Sequence, residues 1–445
     1  MLLALAGTLF SFILSGSAAA DSSSSLRWIN TWTAMPQLTE FSNLPNPPFN
    51  GTTGVFRNST IRQTLHMSIG GDTIRIRFSN AFGPNNLNIT AATVALPEGG
   101  VSGASAVVPG SIQPVTFSGN PGFSIPDAGQ VVSDPISFPI KAQQTITVTI
   151  YLSEGQDGFD ITSHPGSRAT TWMQFGNAVH AQNITSPDTQ SLAHWYFVSA
   201  VETLTTPSAS AFFIIGDSIT DGRGSDTDEN DRWPDLLLRR MQQYGPTTEI
   251  SVNNQAAGGN RILADGLGPA ALGRIDRDVL AQTGRVKYSM IFEGVNDIGV
   301  ADPTEEAQQQ IGDALIAAFK QISTRVHAQG IPFFAATITP FGAPANDSSI
   351  QPYSNPIREQ QRQRINTFIR TSPIFDAVID FDRVVANPQI PSQLAPQFDS
   401  GDFLHPNVAG YTAMAAIFPL DLFAKSGSSS RAPDARVLFI GFSLP

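Results

Sequence analysis

At 445 residues the chain is too long for one ordinary hydrophobic core, so two domains are expected. Apolar residues make up 41 % and charged residues 14 %, a balance that suits a packed globular protein and excludes a chain held open by charge. The formal charge of −11, with no local Lys/Arg cluster to offset it, would repel a phosphate backbone and argues against nucleic acid as a partner.

The first fourteen residues, Met1 to Leu14, are almost all apolar or small, and Ala18 and Ala20 stand as in an A-x-A cleavage site. The run is shorter than the roughly 20 residues a membrane span needs, so residues 1–20 read as a signal peptide rather than an anchor. Its start lacks the usual Lys or Arg. A secreted, extracellular chain is expected, and N-x-S/T sequons at Asn50, Asn58, Asn88, Asn183 and Asn346 agree with that. Cysteine is absent, which removes thiolate nucleophiles and thiolate metal sites throughout the chain.

Residues 27–203 read as an all-β domain. Thr73–Ser79 alternates Ile74, Ile76 and Phe78 with polar neighbours, and Thr145–Leu152 repeats the pattern with Ile146, Val148, Ile150 and Leu152. Turn signals such as Gly70-Gly71, Gly83-Pro84 and Pro126-Asp127-Ala128-Gly129 separate such runs, as in a β-sandwich or jelly roll.

The pattern changes at Thr205-Thr206-Pro207-Ser208, a linker in composition. From 209 to 425 short apolar strands alternate with helical stretches: Ala211–Ile215, Glu249–Val252, Tyr288–Phe292, Pro332–Ile338 and Ala377–Phe381. The clearest helix runs from Glu305 to Gln329, with Ile311, Leu315, Ala318, Ile322 and Val326 on one stripe and Gly330 at the C′ position. This rhythm predicts a parallel sheet covered by helices. Residues 426–445 begin Ser426-Gly-Ser-Ser-Ser430 and read as a flexible tail; their apolar end is short for a lipid-anchor signal.

Four polar clusters stand at the ends of these elements. The first is Gly216-Asp217-Ser218-Ile219-Thr220-Asp221-Gly222, a serine just past a buried parallel strand, where open α/β sheets place ligands. Thr220 stands where a G-x-S-x-G elbow would have its second glycine, so that motif does not fit. The second is Asn254-Gln255-Ala256-Ala257-Gly258-Gly259-Asn260-Arg261, whose glycines leave backbone N–H groups uncovered. The third is Glu293-Gly294-Val295-Asn296-Asp297. The last is Asp399-Ser400-Gly401-Asp402-Phe403-Leu404-His405-Pro406, with Pro406 at a helix-start position.

In order and spacing the four clusters resemble the four sequence blocks of the SGNH (GDSL-type) hydrolase superfamily, over roughly residues 211–420, with GDSI in place of GDSL. Less specifically, Arg232-Trp233-Pro234-Asp235 and the segment around Asn296 are similar to secreted bacterial and fungal esterases that carry a β-domain before the catalytic unit. The resemblance implies a flavodoxin-like three-layer α/β/α domain with a five-stranded parallel sheet. It also implies a carboxylic ester hydrolase working through an acyl-enzyme, with neither metal nor organic cofactor. Position by position, Ser218 would be the nucleophile, His405 the general base and Asp402 its orienting acid. The backbone N–H groups of Ser218 and Gly259 and the Asn296 amide would form the oxyanion hole, where preorganised donors meet developing charge.

Asp217, Asn254 and Asp297 are expected to shape the site by hydrogen bonds, or simply to cap turns. Trp233 is expected either to line the substrate pocket or to pack in the core. His66, His164, His180, His194 and His327 show no metal-ligand spacing and are read as structural. The expected substrate is a short acyl ester, such as acetyl on a polysaccharide held by the β-domain. A lipase-like or general acyl-ester hydrolase is the alternative, and a non-catalytic glycan-binding protein on a hydrolase fold a further one.

Overall fold

The computed structural model describes residues 26–423. Residues 1–20, read above as a signal peptide, and 426–445, read as a tail, lie outside the described residues. Among the described residues no helix is long and apolar enough to cross a membrane.

The N-terminal part is built on two antiparallel sheets. In one, Val198–Thr205 lies between Arg27–Thr33 and Gly71–Ser79, and the latter also pairs with Gln130–Val132 and Ile136–Ile140. In the other, Ser59–His66 lies between Thr145–Leu152 and Thr171–Phe175, with Ala91–Ala95 and Gln113–Val115 beyond. The alternating residues Ile74, Ile76, Phe78, Ile146, Val148, Ile150 and Leu152 are all buried in the shared core. The polar face of Thr145–Leu152 is covered too, with Thr145, Thr147 and Thr149 buried and Tyr151 half-buried. There the fully buried Arg62 donates from Nε to Thr149 (3.0 Å) and from its Nη atoms to the carbonyls of Ser105 (2.7 Å) and Ala181 (2.6 Å). Connecting segments thus roof that sheet, and burial pushes the Arg62 guanidinium down to about 10.

The C-terminal part holds five parallel strands in the spatial order Ile250–Ala256, Ser210–Gly216, Val286–Phe292, Phe333–Ala336, Ala377–Ile379. In chain order this is 2-1-3-4-5, the flavodoxin-like arrangement, whose direction of winding switches beside the first strand. The long helix spans Glu305–Ala328: Thr304 caps it by accepting from the Ala307 N–H (3.2 Å), and Gly330 takes φ +69° just past its end.

The second strand runs further than its apolar residues suggest, through Asn253, Asn254 and Gln255 to Ala256. Its in-register pairing with Ser210–Gly216 carries these polar residues into the sheet, and the N-terminal domain covers them. Ser68 Oγ donates to the Val252 carbonyl (2.8 Å) and accepts from the Val252 N–H (3.0 Å), while Thr33 Oγ1 donates to the Asn254 carbonyl (3.3 Å). An exposed strand edge invites pairing with other chains, and here the β-domain closes it. Ile29 and Ile69 extend from the β-domain into the α/β core, so the two parts share an apolar junction.

Candidate active site

The strand Ser210–Gly216 is buried along its whole length and delivers the chain to the sheet's switch point. A Cβ on Gly216 would lie 2.5 Å from Thr220 Oγ1, so only glycine lets the next turn fold back so closely. Asp217 then caps a single helical turn, Ser218–Asp221, by accepting from the Ile219 N–H (2.9 Å), and Gly222 ends it at φ +96°. Burial pushes the Asp217 carboxyl up to about 7, with the charges of Asp297 and Asp221 adding to the effect.

Ser218 Oγ lies 2.8 Å from His405 Nε2. On the other side of the ring, His405 Nδ1 lies 2.6 Å from Asp402 Oδ2. The loop from Asp399 to Pro406 holds this geometry from within. Asp399 accepts from the Gly401 (2.9 Å) and Phe403 (3.0 Å) amides, and Asp402 Oδ1 accepts from the Leu404 (3.0 Å) and His405 (2.8 Å) amides. The following helix begins at Val408 with Asn407 as its cap, so Pro406 stands ahead of the cap rather than in the first turn.

Burial raises the Asp402 carboxyl, but the hydrogen bond and charge of His405 and the two amides outweigh it and hold Asp402 well below the usual carboxylate range. An ionised Asp402 only accepts, so Nδ1 carries the ring proton and Nε2 is left to accept from the Ser218 hydroxyl. Burial lowers His405 below the ordinary imidazole value of 6.5, partly against the pull of Asp402. A neutral base is therefore available at mildly acidic pH. As pH rises the His405 proton is lost and activity gained, so the acid limb of kcat/KM for a small ester is expected to have its midpoint below 6.5. A limb centred above that value, or one that persists in His405→Ala, would contradict this assignment of the base.

Asn296 lies in the first turn of the helix Val295–Val300 and is nearly buried. Its Nδ2 donates to the Asn260 carbonyl (2.8 Å), and its Oδ1 accepts from the Tyr353 hydroxyl (3.1 Å). The Asn260 carbonyl only accepts, so Nδ2 must face it and the amide cannot flip; one N–H remains beyond that bond. Gly259 takes φ +70°, and a Cβ there would meet Leu267 at 2.4 Å, so this position too demands glycine. Among the described residues the Gly259 N–H has no acceptor. Asp297 ties the same loop down: Oδ2 accepts from the Ile262 N–H (2.9 Å) and Oδ1 from the Leu263 N–H (3.0 Å). Asn254 joins the second strand to the serine turn, donating from Nδ2 to the Thr220 carbonyl (2.9 Å).

The sequence-derived site residues Ser218, Asp402, His405, Gly259 and Asn296 thus meet at one sheet end, with Asp217, Asn254 and Asp297 bonded around them. Trp233 does not line the site. It is fully buried, donates to Thr220 Oγ1 (3.2 Å) and packs on Phe381. Two contributors carry no signal of their own in sequence, and a third, Glu293, opens the third cluster without a role of its own there. Tyr353 comes from a loop far from every cluster, and Arg274 reaches in to donate to Asn260 Oδ1 (2.9 Å) and the Gln255 carbonyl (2.6 Å). Glu293 lies buried beneath the site, its carboxyl pushed up to about 8 by burial.

A comparison with curated proteins gives no match. Solved structures similar to the chain include a GDSL-like lipase from Bacteroides thetaiotaomicron, at 16 % identity and a TM-score of 0.33 over 49 % of this chain and 89 % of that one. An acetylxylan esterase from Geobacillus stearothermophilus is similar at 19 % identity and a TM-score of 0.34, over 47 % of this chain and 94 % of that one. Residues 214–413, which hold Ser218, Gly259, Asn296, Asp402 and His405, match the model of the GDSL-like lipase/acylhydrolase family. The α/β part of this chain belongs to that family, within the SGNH hydrolase superfamily.

Proposed function

We propose that the chain is an exported carboxylic ester hydrolase that removes short acyl groups, acetyl foremost, from carbohydrate. Ser218 Oγ attacks the ester carbonyl carbon while His405 Nε2 takes the hydroxyl proton. The tetrahedral oxyanion is met by the N–H groups of Ser218 and Gly259 and by the Asn296 amide. Collapse breaks the bond to the alcohol, which leaves with the proton from His405. Water, deprotonated by the same ring, then releases the acid and restores Ser218. The observation that carries this reading is the serine–imidazole–carboxylate chain, at 2.8 and 2.6 Å.

Two features support the choice of substrate. Ser218 is only 6 % exposed, which favours a small acyl group over a long one. On the β-domain, Phe41 is 74 % exposed and stacks edge-on with Phe159, offering apolar ring faces to a sugar chain. The segment carrying Phe41 runs on from Met35 and Gln37, which pack beside Gly268 of the loop that follows Gly259. The same exposed Phe41, with Leu38 and Leu267, also favours a lipase-like reading in which they meet an acyl surface. Export rests on the N-terminal sequence, and of the sequons Asn58, Asn183 and Asn346 are exposed.

A panel of aryl esters from acetate to long acyl chains, acetylated xylan and emulsified triacylglycerol tests the choice. The expected result is preference for acetate, with Phe41→Ala weakening action on the polymer and sparing the aryl ester. Preference for long chains with activation at a lipid surface would overturn the carbohydrate reading in favour of the lipase-like one.

A further inference from the structure

His164 ends the strand Thr162–His164 of the β-domain, yet it is bonded to the turn that carries the nucleophile. Its Nε2 lies 2.8 Å from Asp221 Oδ1, and both side chains are almost fully buried. Its Nδ1 lies 3.1 Å from the Met35 carbonyl oxygen. A carbonyl only accepts, so Nδ1 carries a proton. The close contact of Nε2 with a carboxylate is then favourable only with a second proton between them.

The second oxygen of Asp221 is also engaged. Oδ2 accepts from the Gly258 N–H at 3.0 Å, one residue before the Gly259 amide. A Cβ on Gly166 would lie 1.7 Å from that same oxygen, so the β-domain backbone closes on Asp221 as tightly as glycine allows. One chain of bonds therefore runs from a β-domain ring, through the last residue of the serine turn, into the loop that presents an oxyanion donor.

We propose that His164 is a positioning residue for ester hydrolysis: through Asp221 it fixes the Gly258-Gly259 loop, so that the β-domain completes the oxyanion hole. The proposal rests on the ester-hydrolase reading and adds a role for the β-domain at the chemical step. It acts on the transition state because Gly259 contributes to the hole only where charge develops on the carbonyl oxygen.

Two conservative variants of the full chain separate the ring's two bonds. His164→Asn keeps a donor near Met35 but cannot reach Asp221. His164→Gln keeps a donor toward Asp221. With aryl acetate as the probe, His164→Asn is expected to lower kcat on the order of 10- to 100-fold with KM within about twofold. His164→Gln is expected to stay within about threefold of wild type in kcat. Affinity for a trifluoromethyl ketone, which forms a tetrahedral adduct with the serine, should fall in parallel with kcat. Asp221→Ser, which removes the acceptor of the Gly258 amide, should reproduce the loss in kcat and carries the test should His164→Asn not fold, as judged by thermal melting. Equal kcat in folded Asn and Gln variants, or wild-type kcat in Asp221→Ser, would overturn the proposal while leaving the esterase reading in place. Absence of wild-type turnover on every ester tried would overturn both.

Discussion

Replacing Ser218 by Ala is expected to lower ester hydrolysis by about 10³-fold or more while leaving a folded protein. The hydroxyl makes its hydrogen bond to His405 Nε2, whereas the turn around it is held by the Asp217 cap and by backbone bonds. Alanine keeps those, so the melting temperature should hardly move and the loss should appear in kcat. What rate remains would come from the oxyanion donors and from substrate binding, as in other enzymes that lose one member of such a triad. Steady-state rates on an aryl acetate, with thermal melts alongside, check both halves. A folded variant near the wild-type rate would remove Ser218 from the mechanism.

Asn296→Ala is the second large effect, an expected fall in kcat of roughly 10²- to 10³-fold with little change in KM. Tyr353 and the Asn260 carbonyl hold the amide in one orientation, so its free N–H is aimed before substrate arrives and pays no reorganisation cost. Asn296→Asp should be at least as damaging, because it sets a carboxylate against both the developing oxyanion and the Asn260 carbonyl. The contrast is informative because the two side chains are nearly the same size. A loss confined to KM would place Asn296 in ground-state binding instead.

Those residues were legible in sequence because each sits in a short cluster tied to the end of a strand or the start of a helix. Alternation in Thr73–Ser79 and Thr145–Leu152 likewise revealed strands, since burying one face imposes a period of two. Burial of both faces of Thr145–Leu152 was not legible, because the roof over the second face comes from Ser105 and Ala181, distant in the chain. The extent of the second strand was missed for a related reason: Asn253 and Asn254 look like loop residues until another domain covers them. Tyr353 and His164 each act on a partner 57 residues away, and nothing local in either segment marks that reach. His164 had no metal-ligand spacing to draw attention to it. Its partner is a carboxylate across a domain junction, which no spacing rule within one segment anticipates.

The central claim is that a covalent acyl intermediate forms on Ser218, with His405 as the base that activates it. Its most direct test is stoichiometric labelling of the intact protein with an organophosphate or aryl sulfonyl fluoride, followed by peptide mass mapping. The expected result is one adduct, carried by the peptide containing Ser218, with esterase activity lost in proportion to labelling. Labelling should be absent in Ser218→Ala and much slower in His405→Ala. An adduct on another serine, or full activity after complete labelling of Ser218, would contradict the account.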